Sequence, residues 1–208
     1  MTKLALVGGG GFAIEVYEIA KLRGYDVVGY FAFEQSSWDL PFLGVPERIS
    51  DLRHGFDCIA LAFGAVDRQS LTHRIDFARK LMAIAPIAPA LVSPHAVVGG
   101  GVIMDRGAFV AHNVVLGPEC HIGAFAVLNT AVSVGHHAKV GAGTILAPHA
   151  FIGGGTGIGD GCLIGPGVQV LQGIEIGSGV VAGVGVAVFR SLPAGTTVLP
   201  ARMQVMKD

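Results

Sequence analysis

The side chains able to do chemistry near neutral pH are few in this 208-residue chain: eight histidines and three cysteines. Imidazole, with an ordinary pKa near ~6.5, can take and return a proton at physiological pH. Two of the eight, His136 and His137, are adjacent and follow Val134-Gly135. His95, His112 and His149 fall at turn positions of the pattern described below and read as exposed corners, and His54 and His73 read as surface residues. Cys58, Cys120 and Cys162 are an odd number without metal-type spacing, which points to a reducing, cytoplasmic setting. A third feature is backbone chemistry. Gly8-Gly9-Gly10-Gly11 sits between an apolar run and a helical pattern, and Gly8-x-Gly10-x-x-Ala13 matches a dinucleotide fingerprint. Backbone N–H groups at such a helix start can cradle a phosphate, although a tight turn with no ligand gives the same sequence. An NAD site also needs an acidic residue at the end of the second strand. Here that strand ends Tyr30-Phe31-Ala32-Phe33, which argues against NAD.

The elements that must position these groups are set by a repeat. Stepping by six from Val92 to Val188 meets seventeen residues, all aliphatic or Met, and the next residue is Gly in ten of the seventeen hexads. The fifth position of each hexad is small or β-branched, as in Ala126, Val132, Ala138 and Thr144. A period of six fits no α-helix. It fits short flat strands joined by tight turns, three hexads to a triangular coil, with coils stacked about 4.7–4.9 Å apart. No insertion breaks the register, so a smooth prism without a protruding loop is expected. Phe109, Val115, Val127, Ile145, Phe151 and Leu163 fall at outward positions. Apolar faces of that kind mark an interface, and a homotrimer is expected.

The first ninety residues read differently. Lys3–Val7, Asp26–Tyr30 and Asp57–Phe63 are predicted strands, with a further one at Ile84–Ile87, and Phe12–Arg23 and Ser70–Met82 are predicted helices. Alternation of strand and helix predicts a small parallel, Rossmann-like sheet. The expected fold is therefore an α/β Rossmann-like domain over 1–88 followed by a parallel β-helix over 89–208.

Composition removes several classes of function. A net charge of −1 gives no basic footprint for nucleic acid and no polybasic membrane signal. The mean hydropathy of +0.62 is high. Yet the uncharged run 140–159 is interrupted by glycines, a proline and a histidine, so no membrane insertion is expected.

A nucleotide-fold domain ahead of hexapeptide repeats resembles the sugar acyltransferase family that includes sialic acid O-acetyltransferases and bacterial nucleotide-amino-sugar N-acetyltransferases. The resemblance spans nearly the whole chain. It rests on Leu6-Val7-Gly8-Gly9-Gly10-Gly11-Phe12-Ala13-Ile14-Glu15, on Phe63-Gly64-Ala65-Val66-Asp67-Arg68, and on Leu128-Asn129-Thr130. It continues through Val134-Gly135-His136-His137 and Ala147-Pro148 to Leu199-Pro200-Ala201-Arg202. The resemblance implies a left-handed coil and acetyl-CoA as co-substrate, with no metal. It implies transfer to the amine of a nucleotide-linked amino sugar in a cleft between subunits, with His136 as general base and Gly154, one coil later, as oxyanion donor. Gly153, Gly154, Gly155, Gly173 and Arg202 are then candidates for holding acetyl-CoA. Gly8, Gly9, Gly10, Gly11, Gly64, Arg68, Asn129 and His137 are candidates for the nucleotide sugar.

The chain departs from that family at four places. His137 stands where an acidic residue usually follows the base, and a neutral His137 is not expected to take over the task of orienting His136. Ile145 replaces a second histidine, Ala32-Phe33 an acidic pair near the base-binding strand, and Val198 a glycine. Transfer to a sugar hydroxyl, as in sialic acid O-acetylation, stays open, and so does a non-catalytic trimeric nucleotide-binding scaffold. A zinc site like that of γ-class carbonic anhydrases, which resembles three histidines with two of them five apart, finds no such pair here.

Overall fold

The computed structural model describes residues 1–201. Its amino-terminal part is a four-stranded, all-parallel sheet: β1 (Lys3–Val7), β2 (Asp26–Phe31), β3 (Phe42–Gly44) and β4 (Cys58–Leu61), in the order β3-β2-β1-β4. Helix α1 (Gly11–Leu22) follows β1 and α2 (Arg68–Met82) follows β4. β1 is buried along its length after Lys3 because helices and coil cover it, which is why it reads as a continuous apolar run rather than an alternating one. Two details differ from the sequence expectation. Phe42–Gly44 is an unforeseen edge strand, reached from β2 without a helix. Ile84–Ile87 contributes only a single bridge, Ile59 to Ile87, and not a strand.

From Leu91 onward the chain winds as a left-handed parallel β-helix of two-residue strands. Residue i pairs with i+18 from Leu91 with Phe109 through to Gln169 with Ala187, so three hexads close one coil as the period requires. Only at the end does the step shorten, Val181 pairing with Thr197. The strands stack into three flat sheets. The first face runs from Leu91–Val92 through Phe109–Val110, Val127–Leu128 and Ile145–Leu146 to Thr197–Val198. The second carries Val97–Val98, Val115–Leu116, Ser133–Val134 and Phe151–Ile152. The third carries Ile103–Met104, His121–Ile122 and Lys139–Val140. The hexad aliphatics fill the interior: Leu116, Ile122, Leu128, Val134 and Leu146 are all buried. Polar members of the fifth hexad position also point inward and are satisfied by the next coil. Thr144 Oγ1 donates to Gly159 O at 2.8 Å, and Thr156 Oγ1 to Leu171 O at 3.0 Å.

The α/β unit is clamped onto the first face. The Phe12 ring meets Phe109 edge-on at 5.0 Å, and Ile75 packs against Gly143 and Gly161, where a Cβ would lie 2.7 and 2.9 Å from it. This corrects the reading of the outward apolar positions. Phe109, Val127 and Ile145 are buried by the chain's own amino-terminal unit, and Leu163 is half-buried. Val115 and Phe151, on the second face, are the two that stay exposed. The period assigns a residue to a face but does not say which face the preceding ninety residues cover.

Candidate active site

The two groups of candidate residues lie on opposite sides of the prism. Gly10, Gly11, Gly64 and Asn129 line one groove of about 480 Å³ between the α/β unit and the first face, together with Glu15 and Ser70. Gly8 and Gly9 line an adjoining cavity of about 500 Å³ with Phe33, Phe63, Phe77 and His73; Phe63 borders both. The glycines are required by close approach. Gly8 has φ +133°, and a Cβ on Gly9 would lie 2.9 Å from the Tyr30 ring. Gly10 and Gly11 face open space, and Gly10 is the N-cap of α1 without any side-chain cap. The first N–H groups of α1 are therefore free to meet an anion. Asn129 donates from Nδ2 to Leu146 O at 3.2 Å, which fixes its amide at the groove wall.

His136 and His137 occupy the edge where the second and third faces meet, between Ser133–Val134 and Lys139–Val140. In a triangular prism that edge lies across the body from the first face, so no single chain brings His136 to its own groove. Both imidazoles are exposed. Gly154 stacks directly over His136: a Cβ there would lie 2.7 Å from Nε2 and 2.8 Å from Cε1. The neighbouring Gly155 N–H is occupied by His136 O at 2.8 Å. Gly154 N–H has no partner among the described residues. Gly155 and Gly173 continue the same edge with open space where side chains would stand. The result is a bare glycine track leading to one imidazole nitrogen.

His137 stands against His136. His136 Nδ1 lies 3.0 Å from His137 Nδ1, with the rings nearly perpendicular at 85°. A neutral imidazole carries one acceptor nitrogen, so His137 can receive the Nδ1–H of His136 without being acidic.

Arg68 is not in the groove lining. Its Nη2 donates to Gly195 O at 2.9 Å and to Thr197 Oγ1 at 3.0 Å, tying the start of α2 to the last coil. Arg202 lies outside the described residues. One positioning residue escapes sequence reasoning altogether. Arg74, 1% exposed, donates from Nε to Phe63 O and from Nη1 to Phe125 O, both at 2.9 Å. It thereby locks the groove residue Phe63 to the coil. Burial lowers its guanidinium to about 10, so it stays charged at neutral pH. An arginine on an amphipathic helix carries no sequence signal of such a role.

Two further histidines have partners of their own. His121 Nε2 meets Asp105 Oδ2 at 3.1 Å. His112 is half-buried rather than an open corner, with Nδ1 2.6 Å from Ser93 Oγ and Nε2 3.8 Å from Glu18. Among the described residues no three His, Cys, Asp or Glu side chains gather as a metal site, and no helix is long and apolar enough to cross a membrane.

No protein-family model and no curated protein matches the chain. Solved structures do. A histidine-to-alanine variant of GDP-perosamine N-acetyltransferase from Caulobacter crescentus, in complex with CoA and GDP-perosamine, superposes with a TM-score of 0.89. It is 26% identical over 100% of this chain and 98% of that one. The acetyltransferase domain of PglB from Neisseria gonorrhoeae, in complex with acetyl coenzyme A, gives 0.86 at 27% identity over 96% of both chains. WeeI from Acinetobacter baumannii shares the fold, with a TM-score of 0.79 at 22% identity. The chain thus has the fold and the two-part organisation of sugar N-acetyltransferases.

Proposed function

We propose that the protein transfers an acetyl group from acetyl-CoA to the amine of a nucleotide-linked amino sugar, in the cytoplasm. The observation that carries this reading is the pairing of His136 Nε2 with Gly154, whose Cβ would lie 2.7 Å from it. A thioester carbonyl brought along the glycine track meets a base and a free backbone N–H at once. In this reading residues 1–88 bind the nucleotide sugar and residues 89–208 carry out the transfer. The diphosphate lies against Gly8–Gly11 at the start of α1, the base enters the aromatic-lined cavity, and the sugar extends through the groove past Gly64 and Asn129.

His136 Nε2 accepts the proton that the sugar nitrogen loses as it bonds to the thioester carbonyl carbon. Gly154 N–H donates to the oxygen on which negative charge develops. The same proton returns from Nε2 to sulfur as the C–S bond breaks, leaving an amide and free CoA thiol. No covalent enzyme intermediate is needed. Acetyl-CoA supplies the acyl group; Gly155 and Gly173 leave open room along the edge beside the base, whereas Gly153 is packed against the backbone of Gln172 in the next coil.

Because groove and base lie on opposite sides of one prism, the reading requires a second copy to bring its His136 edge to the groove. A homotrimer arranged about a threefold axis supplies three such clefts and shields the exposed imidazoles from water. The test is the release of CoA thiol with acetyl-CoA and a panel of nucleotide-linked amino sugars. His136→Ala is expected to lower kcat by about 10²–10⁴, the usual contribution of general acid–base catalysis. An undiminished rate in that variant overturns the assignment of the base.

A further inference from the structure

We infer that His137 is the positioning residue of this active site, acting as a neutral acceptor that fixes the tautomer of His136. The inference rests on the acetyl-transfer reading above and adds a role that reading does not need. A 3.0 Å approach of two Nδ1 atoms is a hydrogen bond only if one carries a proton and the other does not. Nε2 of His136, turned to Gly154, must be unprotonated to act as base. Its proton then resides on Nδ1, and His137 must accept it there while keeping its own proton on Nε2. The pair is thus an ordered donor–acceptor chain that aims one lone pair at the glycine track.

The backbone makes His137 suited to this. Its φ of +58° places it in the left-handed region, and its ring stands 5.2 Å from that of its predecessor, centroid to centroid. The same corner position in the flanking coils is held by Gly101, Glu119, Gly155 and Gly173, with φ between 61° and 72°. This edge therefore accepts a glycine or a glutamate without a change of fold. The charged groups of the elements around the pair are Glu119 in the preceding coil, which reaches toward Gly101, and Lys139 and His121 on the third face. The following coil presents only Gly154 and Gly155. No carboxylate among the described residues is hydrogen-bonded to either ring.

A neutral acceptor has a chemical consequence. A carboxylate beside an imidazole raises its pKa by favouring the charged form, whereas a neutral imidazole does so far less. Exchanging the neutral acceptor for a carboxylate therefore changes the pH dependence of the reaction.

The test uses His137→Gly and His137→Glu in the full chain, with kcat/KM followed from pH 5 to 9. His137→Gly is expected to lower kcat by about tenfold or more with the KM for acetyl-CoA unchanged. His137→Glu is expected to keep kcat within a few-fold and to move the acid-side midpoint up by about one unit. Full kcat in His137→Gly, or an unmoved midpoint in His137→Glu, overturns the inference. If instead His136→Ala is as active as the unaltered protein, the underlying reading fails; loss in His136→Ala with full activity in His137→Gly removes the positioning role alone.

Discussion

The guanidinium of Arg74 and the carbonyl oxygen of Phe125 join the two halves of the molecule by a 2.9 Å hydrogen bond in a buried junction. The second donor of Arg74 holds Phe63 O, so one side chain spans from the groove to the coil. Truncation leaves both carbonyls without this donor, at about 1–3 kcal/mol for each unsatisfied buried group. Arg74→Ala is expected to lose about 3 kcal/mol of stability, read as a lower urea midpoint. Arg74→Lys is expected to recover only part, because a single ammonium cannot reproduce two donors set apart on a planar fork. A midpoint unchanged in Arg74→Ala would show that its two hydrogen bonds do not hold the halves together.

The coil is legible in the sequence because its repeat is short and every coil obeys the same sterics. Val134, Leu116 and Ile152 stack because each is eighteen residues from the next, and no long-range information is needed to place them. The glycines at Gly117 and Gly135 are forced by the same stacking, since a Cβ on Gly117 would lie 2.6 Å from His136 N. What the repeat does not encode is how the α/β unit docks, because that depends on pairs such as Phe12 with Phe109 that have no periodic partner. Hence the buried state of Phe109, Val127 and Ile145 is visible only in three dimensions. The same holds within the site. Gly154 over His136 follows from counting eighteen residues, but the contact between His136 and His137 depends on a left-handed φ that a histidine does not announce.

Gly154→Ala separates site geometry from fold. The added Cβ would meet His136 Nε2 at 2.7 Å, closer than carbon and nitrogen tolerate, so the ring must leave its place. Equivalent positions in the neighbouring coils hold Pro118, His136 and Gln172, which shows that the corner itself accepts a side chain. Thermal unfolding is therefore expected near that of the unaltered protein, with kcat lowered by about 10²-fold or more as base and oxyanion donor are both displaced. A fully active Gly154→Ala would move the chemistry away from this edge.

Gly10→Asp tests the phosphate assignment without harming the helix. Gly10 is the N-cap of α1 in extended geometry, with nothing within 4 Å of a built Cβ. Asp is a better N-cap than Gly by a few tenths of a kcal/mol, so stability is expected to be unchanged or slightly higher. Its carboxylate would occupy the N–H groups and repel a diphosphate. The KM for the nucleotide sugar is expected to rise by about tenfold or more, a cost of about 1.4 kcal/mol in binding, while the KM for acetyl-CoA stays the same. Equal effects on both substrates would place the diphosphate elsewhere.

The second face supplies the test of assembly. Val97, Val115 and Phe151 stand in one outward row on it, 63%, 44% and 39% exposed, with Ser133 between the last two. No part of the chain's described residues buries this row, whereas Phe109, Val127 and Ile145 in the corresponding row of the first face are buried. Val115→Asp with Phe151→Asp places two charges there while leaving the inward-facing Leu116 and Ile152 untouched, so each coil keeps its core. In sedimentation the unaltered protein is expected to run as a trimer and the double variant as a monomer. Nucleotide-sugar binding, measured by calorimetry, is expected to persist, because the groove belongs to one chain. Acetyl transfer is expected to vanish, because His136 then has no groove within reach. A monomer that still turns over would mean that one prism brings its own edge to its own groove, and the requirement for a second copy would fall.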